Sequence, residues 1–485
     1  METLFDPGGN ESCKGEVMVD PMESLTRTAR DLLSLKVLVP FSHLQQMARP
    51  SRRPVHSAFR EGMRFRRQSA AWSLDRRREW MLQRLRVLVR LAYRETVYYR
   101  ELFDRIGFDP HASFSFEDYA QLPVLEREAV QQAGTRLISR AIPPDQLRKD
   151  ATGGSTGVPT EIWPGPEERG WRESSGEYFM QRFGVPSGTR TGALWGHHLD
   201  PVASDSLRDR YRDFVSNARW FDCLRLSPAV IERYHEEFSS FRPACIVAYA
   251  SALGHLAEYL LEHGFKPNYP TRCMVTGAEK LLPQHRAAIE KVFSKPVHER
   301  YGSRDAGYIA FQMAPWQTLD YEVDWANMLV EPEADQGDPA ILVTKLHADG
   351  MPMLRYRVGD LGRFPEGSQP GQPVFVLHEV LGRETDRIWL PDGRWITGLQ
   401  IPHLMKDFSV YEYMCQQRAD YAVELKIVPK NGFDEESRRQ ILAALTPNLP
   451  GLSVSITLTD QIPRTKANKW RPVVSEVKPR TGESS

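Results

Sequence analysis

The chain has 485 residues, with 63 Lys plus Arg against 63 Asp plus Glu, and five cysteines. At roughly 100 to 200 residues per domain this length implies two to four domains and excludes a single small binding module. A net charge of zero offers no global field for a polyanion. No basic leader followed by an apolar run and no stretch of about 18 uncharged apolar residues occurs, so the expectation is a globular protein without signal peptide or membrane span.

Cys13, Cys223, Cys245, Cys273 and Cys415 are scattered and contain no C-x-x-C pair. That pattern fits reduced thiols in a cytoplasmic protein rather than a disulfide framework or a zinc ribbon.

Residues 1–70 read as a poorly ordered arm, because Met1 to about Arg53 is polar with Gly, Pro and Ser punctuation and has one short apolar run, Leu32 to Phe41. From Arg49 to Arg90 there are thirteen arginines against Glu61, Asp75 and Glu79. Leu82, Leu85, Val89 and Ala92 recur at helical spacing among them, which favours a long amphipathic helix packed by one face over a nucleic-acid or membrane surface.

Helical stretches at Pro228–Phe241, Ala252–Gly264 and Pro283–Phe293 then alternate with apolar runs at Cys245–Tyr249, Cys273–Val275 and Ala340–Thr344. This is an α/β pattern with largely buried strands, and it assigns 71–384 to one large domain. After the polar segment Gly382–Arg387 the texture changes. Tyr421–Val428, Glu435–Leu445 and Leu452–Leu458 read as strand, helix, strand in a small α+β domain over 385–485.

Six segments carry candidate chemistry. Ala151–Thr160 holds Thr152, Gly153, Gly154, Ser155, Thr156 and Gly157, whose backbone amides and hydroxyls suit a phosphate; it is not a Walker A loop, since Val158 stands where the lysine belongs. Thr276-Gly277-Ala278-Glu279 follows an apolar run and lies at a strand end, where ligands of α/β sheets bind. Tyr301-Gly302-Ser303-Arg304-Asp305 pairs an aromatic face with a carboxylate around a glycine turn, suited to a base and a divalent cation. Leu354–Leu361 presents Asp360 after a turn as an acceptor for ribose hydroxyls, and Arg383 offers a cation. Ile462–Arg471 brings four basic groups, Arg464, Lys466, Lys469 and Arg471, on a C-terminal segment that can reach a site in another domain.

Taken in order, these segments resemble the adenylate-forming (AMP-forming) ligase superfamily, and within it the phenylacetate-CoA ligase and CapK-like branch, over about Trp80 to Val477. The resemblance implies a large mixed-sheet domain with a mobile α+β lid. It implies ATP, Mg²⁺ and coenzyme A as reactants, with Thr152–Gly157 on the ATP phosphates. Gly277, Ala278, Glu279, Tyr301, Gly302 and Ser303 would surround adenine, Asp360 and Arg383 the ribose side, and Asp305 the metal. Lys469 would be the catalytic lysine, with the hinge at Thr385 and Asp386.

By the same resemblance Trp195, His197, Tyr249 and Ser251 form the acid pocket, whose aromatic walls suit a flat or aromatic carboxylic acid. The acceptor is coenzyme A or, as alternatives, an amine or a separate carrier protein. Val158, Asp305 and Asn468 depart from the usual motif residues and motivate a further alternative, a catalytically degenerate nucleotide-binding protein. Membrane and nucleic-acid partners are not expected, and a homodimer is among the assemblies allowed.

Overall fold

The computed structural model describes residues 53–151, 160–196, 213–223, 226–333, 339–383, 387–392, 394–398, 400–405, 408, 410–430, 432–464 and 470–477. Three helices open it, α1 (Arg53–Ser69), α2 (Leu74–Glu95) and α3 (Val97–Ile106). Ser73 caps α2 by accepting from the Arg76 amide, and Thr96 both ends α2 and caps α3 by accepting from the Tyr99 amide. The apolar stripe of α2 is buried as its spacing requires, through Met81, Leu85, Leu88, Val89 and Ala92.

Residues 53–69, expected to belong to a loose arm, instead form a packed helix, which corrects the 1–70 boundary. α1 buries Val55, Ala58 and Met63, and Gly62 lies so close to Ser174 that a side-chain carbon there would sit 2.3 Å from its hydroxyl. Its arginines hid the packing. Arg66 is buried and donates to both carboxylate oxygens of Asp324, at 3.0 and 2.8 Å, and to Ser174 Oγ at 2.8 Å. Arg84 pairs with Glu167, Arg86 donates to the Phe114 carbonyl, and Arg76 and Arg77 lie over Trp72 and Trp325. Arg66 is therefore spent inside the fold and Arg77, Arg84 and Arg86 partly so, while Arg60, Arg64, Arg67, Arg76, Arg78 and Arg90 stay exposed.

Short helices α4 (Phe116–Ala120) and α5 (Arg127–Ala133) lead to a two-stranded ribbon, β1 (Asp150–Ala151) and β2 (Glu161–Ile162), and then to α6 (Pro166–Arg182). The principal sheet is made of β3 (Thr191–Trp195), β4 (Ala218–Asp222), β5 (Cys245–Tyr249), β6 (Cys273–Gly277), β7 (Val297–Ser303), β8 (Gly307–Gln312), β9 (Tyr321–Val323) and β13 (Val376–Leu377), in the order β13-β9-β8-β7-β6-β5-β3-β4. From β4 to β7 the pairing is parallel; from β7 to β13 it is antiparallel.

Helices α7 (Pro228–Phe241), α8 (Ala250–Glu262) and α9 (Pro283–Phe293) supply the apolar layer on one face through Phe238, Leu253, Leu256 and Ile289. On the other face Phe179 of α6 and Phe183, which caps it, pack on Val275 and Phe311. Cover on both sides is why β5 and β6 are continuous apolar runs.

A second, antiparallel sheet runs β10 (Met328–Pro332), β11 (Ala340–Lys345), β12 (Tyr356–Arg363) and β14 (Glu379–Arg383). The remaining elements are β15 (Arg387–Trp389), β16 (Trp395–Thr397), α10 (Gln400–Met405), β17 (Val410–Gln417), β18 (Val423–Pro429), α11 (Glu435–Leu445), β19 (Val454–Leu458) and β20 (Val473–Ser475). They have their own core of Ile388, Ile401, Cys415, Leu425, Ile427, Ile441 and Leu445, under a sheet ordered β19-β18-β17-β20. This C-terminal unit touches α8, where Lys430 lies 3.4 Å from Glu258 and 3.2 Å from Glu262. Among the described residues no helix is long and apolar enough to cross a membrane.

Candidate active site

The carboxyl ends of β3, β5, β6 and β7 lie side by side, because these four strands are parallel neighbours in the sheet. Trp195 closes β3, Tyr249 closes β5 and Gly277 closes β6, with Tyr249 and Gly277 directly paired. Trp195 and Tyr249 meet edge to face at 4.4 Å, so two of the expected pocket residues are in contact. Beyond Gly277 the backbone turns through Ala278, at φ 68°, a left-handed conformation uncommon for a residue with a side chain.

β7 continues past this edge into a hairpin with β8. Gly302 allows it, since a side-chain carbon there would fall 2.3 Å from the Gly307 carbonyl oxygen. The turn delivers Asp305 to the face of β12, where Tyr356 donates to Oδ2 at 2.7 Å while Ser303 Oγ donates to Oδ1. Asp305 is buried. Burial alone would raise its pKa, but the hydrogen bonds from Ser303 and Tyr356, with Arg383 and Arg127 nearby, outweigh that and hold it below the usual carboxylate range.

The antiparallel register of β12 and β14 sets Asp360 opposite Arg383. Arg383 Nε lies 3.2 Å from Asp360 Oδ1 and its Nη1 donates to the Val358 carbonyl at 3.0 Å. Tyr301, from β7, donates to the other oxygen of Asp360 at 2.8 Å. Burial and then the Asp360 charge push the Tyr301 phenol well above its ordinary pKa, so it stays protonated as this donor. Tyr301, Asp360 and Arg383, far apart in sequence, are thus one hydrogen-bonded group, and Asp305 is held separately by Ser303 and Tyr356. Asp360 lies within a strand and not after a turn as expected. Tyr356, inside a segment the sequence singled out, had no assigned role.

A second group surrounds Glu279. Its Oε2 accepts from the Ser251 amide at 3.2 Å and from Ser251 Oγ at 2.6 Å, while Oε1 accepts from the backbone amide of Trp470 at 2.9 Å. The last bond joins the large body to the C-terminal unit across 191 positions. Beside it a cavity of about 90 Å³ is lined by Tyr249, Ser251 and His255 from the body and by Glu412 and Arg464 from the C-terminal unit. Burial first, then Arg464 and Lys430, lower the His255 pKa to about 3. The imidazole is therefore neutral at pH 7, and its 3.5 Å approach to Glu412 is a polar contact and no ion pair; Glu412 is paired by Arg464.

Thr152, Gly153, Gly154, Ser155, Thr156, Gly157, His197, Thr385, Asp386 and Lys469 lie outside the described residues. Among the described residues no group of three or more His, Cys, Asp or Glu could cage a metal ion. Asp305 keeps a lone pair on Oδ2, which fits a single carboxylate contact to Mg²⁺ carried by nucleotide phosphates, the usual way that ion is held.

A parallel sheet with its polar groups gathered at the carboxyl edge, a second antiparallel sheet supplying a Tyr–Asp–Arg group, and an α+β unit closing over that edge define the adenylate-forming ligase architecture. No protein-family model matches the chain. Protein CapK of Staphylococcus aureus is 22% identical over 275 residues, 55% of this chain and 59% of CapK. A phenylacetate-coenzyme A ligase of Pseudomonas putida is 23% identical over 419 residues, 80% of this chain and 91% of that enzyme. Among solved structures, a 2-hydroxyisobutyryl-CoA ligase in its postadenylation state, in complex with 2-HIB-AMP, superposes with a TM-score of 0.64 at 18% identity, covering 84% of this chain and 90% of that one. The chain has the adenylate-forming ligase fold and is similar over most of its length to phenylacetate-coenzyme A ligases.

Proposed function

We propose that this protein is an AMP-forming acid ligase. A carboxylate oxygen of a small acid attacks the α-phosphorus of ATP, the bond to the β-phosphate oxygen breaks, and pyrophosphate leaves. The thiol of coenzyme A, giving up its proton, then attacks the acyl carbon and AMP leaves with the bonding pair. The observation that carries this reading is the convergence at one sheet edge of the Tyr301–Asp360–Arg383 group and the Glu279–Trp470 bond, from segments far apart in sequence.

In this mechanism Asp360, held by Tyr301 and Arg383, keeps lone pairs for the ribose hydroxyls. The phosphate-binding role belongs to Thr152–Gly157. Lys469, next in sequence to the anchored Trp470, balances the charge that grows on the α-phosphoryl group. Mg²⁺, when bound with ATP, neutralises phosphate charge, and Asp305 is the residue that would hold it. Trp195, His197, Tyr249 and Ser251 belong to the acid pocket, and Thr385 and Asp386 to the hinge. Incubation with ATP, coenzyme A, an amine and candidate acids, read by mass spectrometry, is expected to give AMP and an acyl-CoA. An amide with no thioester would move the assignment to the amide-forming alternative, and ADP in place of AMP would refute it.

A further inference from the structure

Arg300 sits in β7, immediately before Tyr301, on the sheet face that carries Trp195 and Tyr308. Its guanidinium carbon lies 5.7 Å from the Trp195 ring centre and 5.1 Å from that of Tyr308. A side-chain carbon on Gly277 would meet the Arg300 carbonyl at 3.2 Å, Nε at 3.5 Å and Nη2 at 3.7 Å, so the bare end of β6 leaves the guanidinium against the ligand edge of the sheet. Four inward-facing arginines of the body each have a carboxylate: Arg66 has Asp324, Arg286 has Glu299, Arg355 has Glu331, Arg357 has Glu126. Arg300 has only aromatic faces: among the described residues no carboxylate pairs with it and no acceptor takes its N–H groups.

Two rings stabilise a cation but leave its five N–H donors free. Those donors sit beside Trp195, whose ring meets Tyr249 in the acid pocket, and the fork geometry of arginine matches a carboxylate.

We propose that Arg300 is a specificity-determining residue: the acid activated here carries, besides the reacting carboxylate, a second anionic group that Arg300 receives against the Trp195 face. The substrate class is then a flat dicarboxylic acid or an acid with an equivalent anionic substituent. This rests on the ligase reading above and narrows it.

The test is ATP–pyrophosphate exchange with matched acids, benzoate against isophthalate and phenylacetate against 4-carboxyphenylacetate, on wild type, Arg300→Gln and Arg300→Lys. In wild type the dianionic member of at least one pair is expected to be favoured in kcat/KM by about 10- to 100-fold, the worth of one charge-assisted hydrogen-bonded pair. Arg300→Gln should erase that preference while changing the monoanionic acids less than about threefold, and Arg300→Lys should retain part of it. Exchange that shows no preference for the dianion, or a preference unchanged in Arg300→Gln, would overturn the proposal and leave the ligase reading intact. A lower melting temperature with selectivity unchanged would assign Arg300 a packing role only. Absence of acid-dependent exchange with every acid in wild type would overturn both.

Discussion

Glu279 offers the sharpest perturbation of the site, because its carboxylate accepts from Ser251 N at 3.2 Å and Ser251 Oγ at 2.6 Å within the body and from Trp470 N at 2.9 Å in the C-terminal unit. Glu279→Gln keeps the shape but turns one acceptor oxygen into an NH₂ donor. Placed toward Trp470, that NH₂ faces another N–H and the interdomain bond is lost. Placed toward Ser251, it faces the Ser251 amide, and only the hydroxyl can rotate to compensate. At least one hydrogen bond to a charged group disappears either way, about 1.5–3 kcal/mol, which is about 10- to 100-fold in a rate constant that depends on the arrangement. The assay is kcat/KM for acid-dependent pyrophosphate exchange, with the melting curve as a check on global folding. Ser251→Ala, which leaves the backbone bonds, should lose less. Exchange by Glu279→Gln within twofold of wild type would refute the claim that this bond positions the C-terminal segment for adenylation.

Arg66→Met leaves Asp324 charged and buried, since both side chains are only 2% exposed, and should destabilise the body by about 3–5 kcal/mol in denaturant unfolding; adding Asp324→Leu should recover most of the loss. Burial, aided by nearby His255 and Lys430, holds His285 at a pKa of about 3, and its ring also faces Glu258 at 3.8 Å and Trp470 at 6.2 Å. A histidine of depressed folded pKa binds fewer protons folded than unfolded, so its contribution is complete above its unfolded pKa of about 6.5 and is lost as pH falls from there toward 3. His285→Gln should therefore flatten the acid side of the melting-temperature profile over that window. Tyr356→Phe removes a donor that keeps the Asp305 carboxyl ionised, so its pKa should rise and the acidic limb of the kcat/KM profile should move to higher pH; an unmoved limb would detach Asp305 from the reaction.

Much of the architecture was legible in local pattern. Pro228–Phe241, Pro283–Phe293 and Glu435–Leu445 appear with the bounds their periodicity implied, because a proline or an acidic capping position starts each. The run Cys245–Tyr249 is the strand it reads as, since two covering layers make it uniformly apolar. α1 was misread for a physical reason: a buried arginine resembles a solvated one until its partner, 258 positions away, is known.

At the site, the motifs marked the correct segments but not their mutual geometry. Asp360 and Arg383 pair because two antiparallel strands happen to share that register, and Tyr301 reaches Asp360 across 59 positions. Glu279 looked like a nucleotide contact from its motif, yet its described partners are Ser251 and Trp470. Tyr356 was invisible because strand alternation in a sheet buried on both faces does not tell which neighbour a side chain meets. Arg300 carried no signal, as a lone arginine beside a motif reads as surface charge.

In the proposed reaction a carboxylic acid is joined to AMP at the sheet edge with help from the C-terminal segment. Acid-dependent exchange of labelled pyrophosphate into ATP, compared between wild type and Lys469→Ala, tests it most directly. Exchange is expected to depend on both acid and Mg²⁺ in wild type and to fall by at least about 100-fold in Lys469→Ala, the order lost when one preorganised transition-state charge is removed. Exchange that ignores the acid, or that is equal in the two proteins, would contradict it.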